Sequence, residues 1–100
     1  QWHGRIDNVV NSAGIKIFPE KTEKNIADLI ANNRFYLIGQ KSEVFGEELV
    51  LYVEGVQPPN WDTTVVEMNQ RLTTYERPKK VVFVSRFIET SSGKVKRINL

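Results

Sequence analysis

Two apolar runs of strand length constrain this chain more than any other feature. Arg34 to Gln40 reads Arg-Phe-Tyr-Leu-Ile-Gly-Gln, and Glu48 to Glu54 reads Glu-Leu-Val-Leu-Tyr-Val-Glu. Arg34 to Gln40 is nearly continuous in apolar residues, so it predicts a strand covered on both faces and placed centrally in its sheet. A short link containing Gly46 joins the two runs, which makes an antiparallel pair the economical arrangement.

Helical periodicity flanks this pair. Pro19 to Ala31 starts with Pro in the first turn and Glu20 and Glu23 near the positive end of the helix dipole. Ile26, Leu29 and Ile30 supply its apolar stripe. Pro58-Pro59-Asn60 then breaks the chain, and Trp61 to Leu72 carries Val65, Met68 and Leu72 at spacings of three and four. At the N-terminal side, Asn8 to Asn11 and Ile15 to Phe18 are short β-prone runs around Ser12-Ala13-Gly14. They predict a tight hairpin in which Gly14 takes the positive φ. Lys80 to Ser85 is a third long strand. The order β-β-α-β-β-α-β predicts an α+β fold: an N-terminal β-hairpin plus a small mixed or antiparallel three-stranded sheet, with two to three helices covering one face.

The 100 residues suit a single domain over 1–100, one that buries about two thirds of its unfolded surface around one core. No apolar run approaches the ~20 residues of a bilayer span, and Gln1-Trp2-His3-Gly4 lacks the basic and apolar stretches of a signal peptide. With zero cysteines as well, a cytoplasmic setting without a membrane span is the expectation. The chain opens on Gln1 with a functional-looking motif four residues in, so an excised C-terminal piece of a longer protein is expected.

The formal charge is only +2, yet Arg77, Lys79, Lys80, Arg86, Lys94, Lys96 and Arg97 crowd the last quarter, opposed by Glu76 and Glu89. Such a surface attracts anions. Lys94 follows Ser91-Ser92-Gly93 and offers three donors on a mobile point charge, suited to oxyanions or phosphates. It does not belong to a Walker A loop, because the earlier glycine would fall at Ile88 and Val95 stands where Ser or Thr is needed. Tyr75, Arg77 and Lys79 are two residues apart. In an extended segment they project from one face, an aromatic ring beside two cations, suited to a nucleotide. The bland alternative is a solvated strand edge. Arg5 and Asp7 read equally as a surface ion pair, and Glu47-Glu48 as neighbours on opposite strand faces. His3 stands alone, so no metal set and no Ser-His-Asp set assembles.

Five stretches taken in order carry a resemblance: Gly4-Arg5-Ile6-Asp7-Asn8, Ser12-Ala13-Gly14-Ile15-Lys16, Pro19-Glu20-Lys21-Thr22-Glu23, Tyr75-Glu76-Arg77-Pro78-Lys79-Lys80, and Thr90-Ser91-Ser92-Gly93-Lys94-Val95-Lys96-Arg97. Together they resemble the C-terminal domain of the adenylate-forming acyl-CoA ligase superfamily, essentially end to end. The wording Gly4 to Asn11 is most similar to o-succinylbenzoate-CoA ligases of menaquinone synthesis. The resemblance implies a lid that serves two half-reactions in two orientations, with ATP and CoA as substrates beside a carboxylic acid. Its partner would be its own N-terminal adenylation domain, which would also hold most of the Mg contacts, and the lid alone would be inactive. Lys94 matches the lysine that bridges acyl carboxylate and α-phosphate, and Asp7 matches the hinge. Arg5 matches a nucleotide contact, and Lys16 sits where relatives place a basic residue near phosphate. Gly14 matches the glycine beside the pantetheine tunnel. Tyr75, Arg77 and Lys79 match the surface used for the nucleotide end of CoA, where Phe45 would stack.

Two departures stand out, Ala13 where many relatives have glycine and Ile88 where many have proline. Two other readings compete. One is an adenylation domain that loads a carrier protein. The other is a free-standing anion or nucleic-acid module, against which the charge of only +2 and the lack of a recognised nucleic-acid motif both weigh.

Overall fold

The computed structural model describes residues 9–30, 33–44, 46–96 and 98. The strands are β1 (Val10–Ser12), β2 (Ile15–Ile17), β3 (Phe35–Ser42), β4 (Gly46–Glu54) and β5 (Lys80–Val84), and the helices are α1 (Pro19–Ile26) and α2 (Trp61–Arg71). Single 3-10 turns at Ala27–Ile30 and Thr74–Glu76 extend the helical segments. This is the expected α+β order.

The sheet is mixed. β3 pairs antiparallel with β4 from Phe35↔Val53 to Ser42↔Gly46, while β5 pairs parallel to β4 from Val50↔Lys80 to Glu54↔Val84. The N-terminal hairpin joins the same sheet through Ser12↔Gly46 rather than standing apart, so among the described residues five strands form one sheet in the order β2-β1-β4-β3 with β5 also on β4. The central strand is therefore β4, a correction to the expectation that Arg34 to Gln40 lies in the middle. Burial on both faces is a property that an outer strand acquires when both faces of the sheet are covered, and apolarity alone does not report lateral neighbours. β3 manages its outer edge by donating the Leu37 N–H to the Glu23 carboxylate of α1 at 2.7 Å, which satisfies a ladder donor that, among the described residues, has no strand beside it.

Period-two alternation along β3 and β4 sorts their side chains to two cores. On one side Leu37, Leu49, Leu51 and Val53 pack with Ile26 of α1 and with Trp61, Met68 and Leu72 from α2 and its end. Trp61 meets Phe83 edge-on at 4.9 Å. On the other side Tyr36, Val50 and Tyr52 pack with Phe87, and Val82, Val84 and Val95 join them. Helices cover one face as expected, and the chain after β5 covers the other. Arg71 near the end of α2 fastens the two helical segments, donating to Asp28 at 2.6 Å and to the Asn25 carbonyl at 3.2 Å.

The β1–β2 turn is tighter than the glycine alone implies. Ala13 has φ 53 and Gly14 φ 83. Both central residues are left-handed, as a two-residue hairpin with a primed turn requires. The expectation that named Gly14 holds, and Ala13 shares the conformation with its Cβ in place.

Candidate functional site

Lys94 sits on a small hairpin whose geometry follows from the Thr-Ser-Ser-Gly sequence. Gly93 N–H donates to the Thr90 carbonyl at 2.9 Å, and Thr90 N–H donates to the Lys94 carbonyl at 2.7 Å. Gly93 has φ 87, so the loop is a turn followed by a left-handed glycine, the usual three-residue hairpin connection. The Thr90 hydroxyl accepts the Lys94 N–H at 3.2 Å and lies 3.0 Å from the Ser92 hydroxyl. Below the loop, Glu89 and Val95 form a bridge and Lys96 N–H donates to the Ile88 carbonyl at 2.8 Å. Lys94 itself is exposed. A cation thus rides on a short, hydrogen-bonded support.

That support is fastened to the sheet at three places. Phe87, 3% exposed, and Val95 enter the second core, where the Phe87 ring lies 5.0 Å from Tyr36. The Tyr36 hydroxyl donates to the Ile98 carbonyl at 2.6 Å, which holds the chain beyond the hairpin. The third fastening is ionic. Arg34 grips Glu54 with two parallel bonds, Nε to Oε1 at 2.8 Å and Nη2 to Oε2 at 2.7 Å, and reaches Glu89 with Nη1 at 2.7 Å. Glu54 also accepts the Phe87 N–H at 2.8 Å. Hydrogen bonding from Arg34, then from the Phe87 amide, holds the Glu54 carboxyl down at about 2. The bond to Glu54, then the bond to Glu89, raises Arg34 above its ordinary range.

The anchorage uses residues that sequence reasoning did not single out. Arg34 and Glu54 face each other across the open end of the β3–β4 pair, one step beyond Phe35↔Val53. Opposite charges flanking two runs joined by a short loop were the available signal. Glu89 gave none, since only the folded chain brings it to Arg34.

Gly14 and Lys16 belong to the other hairpin. Lys16 is exposed on β2 opposite Asn11, and a Cβ placed on Gly14 would meet nothing within 4 Å. The tip of that hairpin follows Ser12, which pairs with Gly46 at the first residue of β4, whereas Arg34, Glu54 and Glu89 meet at its last. β4 has nine residues, so at roughly 3.3 Å per residue the two ends lie about 26 Å apart. Lys94 and Gly14 are thus hung from opposite ends of one strand.

Tyr75, Arg77 and Lys79 do not line one extended face. Thr74–Glu76 is a 3-10 turn closed by a reciprocal capping box between Thr73 and Glu76, because Thr-x-x-Glu satisfies its own backbone donors before the chain can extend. Tyr75 packs at the margin of the helical core, and Arg77 Nε donates to the Asn69 and Leu72 carbonyls at 3.0 and 3.2 Å, capping the end of α2. Lys79 is exposed, with its N–H on the Leu49 carbonyl at 2.9 Å. Arg5, Asp7 and Phe45 lie outside the described residues. Among the described residues no helix is long and apolar enough to cross a membrane.

No family model matches the chain. It is 26% identical over 96% of its length to the 2-succinylbenzoate–CoA ligase of Listeria monocytogenes, and 33% identical over 94% to an uncharacterized acyl–CoA ligase of Bacillus subtilis. Those alignments take in only 21% and 19% of the relatives, so the chain spans about a fifth of their length. In structure it is similar to an AMP-forming acyl-CoA synthetase/AMP-acid ligase II-like protein from Dyadobacter fermentans, with a TM-score of 0.86 and 32% identity. That match covers 97% of this chain and 29% of the other.

Proposed function

From its relation in sequence and fold to the AMP-forming acyl-CoA ligases, we propose that this chain is the C-terminal lid of such an enzyme, serving both adenylation of a carboxylic acid and transfer of the acyl group to CoA. The acid is of the o-succinylbenzoate type, which places the enzyme in menaquinone synthesis, and the lid is inactive without the larger domain that holds ATP, Mg and the acid. The observation that carries this reading is the separation of Lys94 and Gly14 at opposite ends of β4. One rigid unit cannot bring both to a single reaction centre in one pose, so serving both steps requires it to turn.

In the first pose the Lys94 ammonium donates to the acyl carboxylate and to the α-phosphate. A carboxylate oxygen attacks the α-phosphorus, pyrophosphate departs with the electron pair of the broken bond, and the ammonium offsets the charge gathered in between. Removing one such donor costs about 3 kcal/mol, or roughly 10² to 10³ in rate. The hydrogen-bonded hairpin matters because a wandering cation would forfeit the benefit of prepaid orientation. In the second pose Gly14 faces the incoming thiol arm, and Asp7 is the hinge between the two. Arg5 and Lys16 serve the nucleotide. Lys79 and Phe45 serve the nucleotide end of CoA, since Arg77 is engaged on the carbonyls at the end of α2 and Tyr75 on the helical core.

The test is the pair of half-reactions in the complete ligase. Lys94→Ala is expected to lower acid-dependent pyrophosphate exchange by 10² to 10³ while thioester formation from supplied acyl-adenylate continues. Equal loss in both steps would refute a role for Lys94 specific to adenylation.

A further inference from the structure

We propose that Arg34 is a positioning residue for Lys94, acting through Glu89; this rests on the adenylating role given to Lys94 above. Arg34 has a two-point grip on Glu54, which fixes the plane of its guanidinium, and the remaining Nη1 is aimed at Glu89 at 2.7 Å. Glu89 is the bridge partner of Val95, the residue after Lys94. The path from the end of β4 to the lysine therefore runs Glu54, Arg34, Glu89, Val95, Lys94, with each link a hydrogen bond, a backbone bridge or a peptide bond. The Glu54 carboxylate also accepts the Phe87 N–H at 2.8 Å, so one carboxylate registers both the arginine and the start of the chain leading to the hairpin.

The two nonpolar anchors do not accomplish the same thing. Phe87 and Val95 press the hairpin onto the sheet, a force without direction in the plane. The ionic link fixes where along that plane the hairpin sits, because a planar fork donates to carboxylates only along its own edges. Glu89 is 46% exposed in its side chain, so its bond to Arg34 contributes little to overall stability. Its effect lies in where the hairpin rests. A displacement of about 1 Å at a catalytic group is enough to cost up to ~10² in rate.

Lysine at position 34 would keep the charge and lose the fork. In the complete ligase, Arg34→Lys and Glu89→Ala are expected to lower kcat for adenylation about tenfold or more with KM for ATP unchanged. Thioester formation from supplied acyl-adenylate should stay at its normal rate, and Glu89→Gln, which keeps an acceptor oxygen, should recover most of the loss. Combined with Lys94→Ala, Glu89→Ala is expected to add nothing, since the group being positioned is already gone. Loss shared by both half-reactions, an undiminished effect of Glu89→Ala on top of Lys94→Ala, or normal adenylation by Glu89→Ala while Lys94→Ala is crippled would overturn the positioning role alone. Normal adenylation by Lys94→Ala would instead overturn the reading of Lys94 on which it rests.

Discussion

Val10 of the first strand packs directly over Gly39 of the third, so closely that a Cβ on Gly39 would come to 2.8 Å from Val10 Cγ2 and 3.3 Å from its Cγ1. Val10 is 4% exposed and branched at Cβ, so it has few ways to retreat. This contact seats the N-terminal hairpin on the sheet, and the hairpin bears Gly14 and Lys16.

Gly39→Ala is accordingly expected to destabilise the chain by about 1 to 3 kcal/mol through overpacking. Urea unfolding would measure the loss. Adding Val10→Ala should return part of it, since the clash is between those two side chains, and a simple sum of the two losses would contradict the contact.

Acid should weaken the Arg34–Glu54 grip with a definite sign. The folded Glu54 carboxyl is held at about 2 against an ordinary 4.5, so between those values the unfolded chain binds more protons and stability rises with pH. Its contribution is complete above about 4.5 and is lost as the pH falls through about 2. Urea midpoints from pH 6 to pH 2 should fall more steeply for the natural chain than for Glu54→Gln. The variant keeps a shallower slope, because the Arg71 hydrogen bond also lowers the Asp28 carboxyl. Parallel pH profiles would show that the grip does not titrate.

Arg77 is expected to hold the end of α2. Both helix carbonyls that it serves, Asn69 and Leu72, are reached by Nε, an atom that lysine does not have. Arg77→Lys should therefore cost about 1 kcal/mol, read as a lower urea midpoint with faster amide exchange in the last turn of α2. An unchanged midpoint would reduce Arg77 to a solvated cation.

The turn at Ala13 offers the opposite sign. Its φ of 53 places a Cβ in the left-handed region, which disfavours L-residues by roughly 1 to 2 kcal/mol. Ala13→Gly relieves that strain and loosens the unfolded chain, for a net gain of about 0.5 to 1 kcal/mol. A higher urea midpoint is the expected result, and a lower one would mean that the Ala13 methyl packs against something in the native state.

Local order was legible in the residues. Apolar spacing places α1, α2 and all the strands close to where they fold, because periodicity of 3.6 or 2 is a property of consecutive side chains. The Ser12-Ala13-Gly14 turn and the Thr90 to Lys94 loop follow from short-range turn chemistry in the same way. Strand order did not follow. Leu37 and Leu51 are equally apolar, yet β4 is central and β3 is outer, a choice made by which partners β1 and β5 find. The Tyr75, Arg77, Lys79 spacing implied an extended face, and the Thr73–Glu76 capping box overrode it. Arg34, Glu54 and Glu89 are separated by 20 and 35 residues in sequence and meet only because β4 carries one end of the sheet to where the chain returns after β5. Side chains repeat along a strand by covalent geometry, whereas contacts between distant segments exist only after the core has closed and selected one arrangement of them.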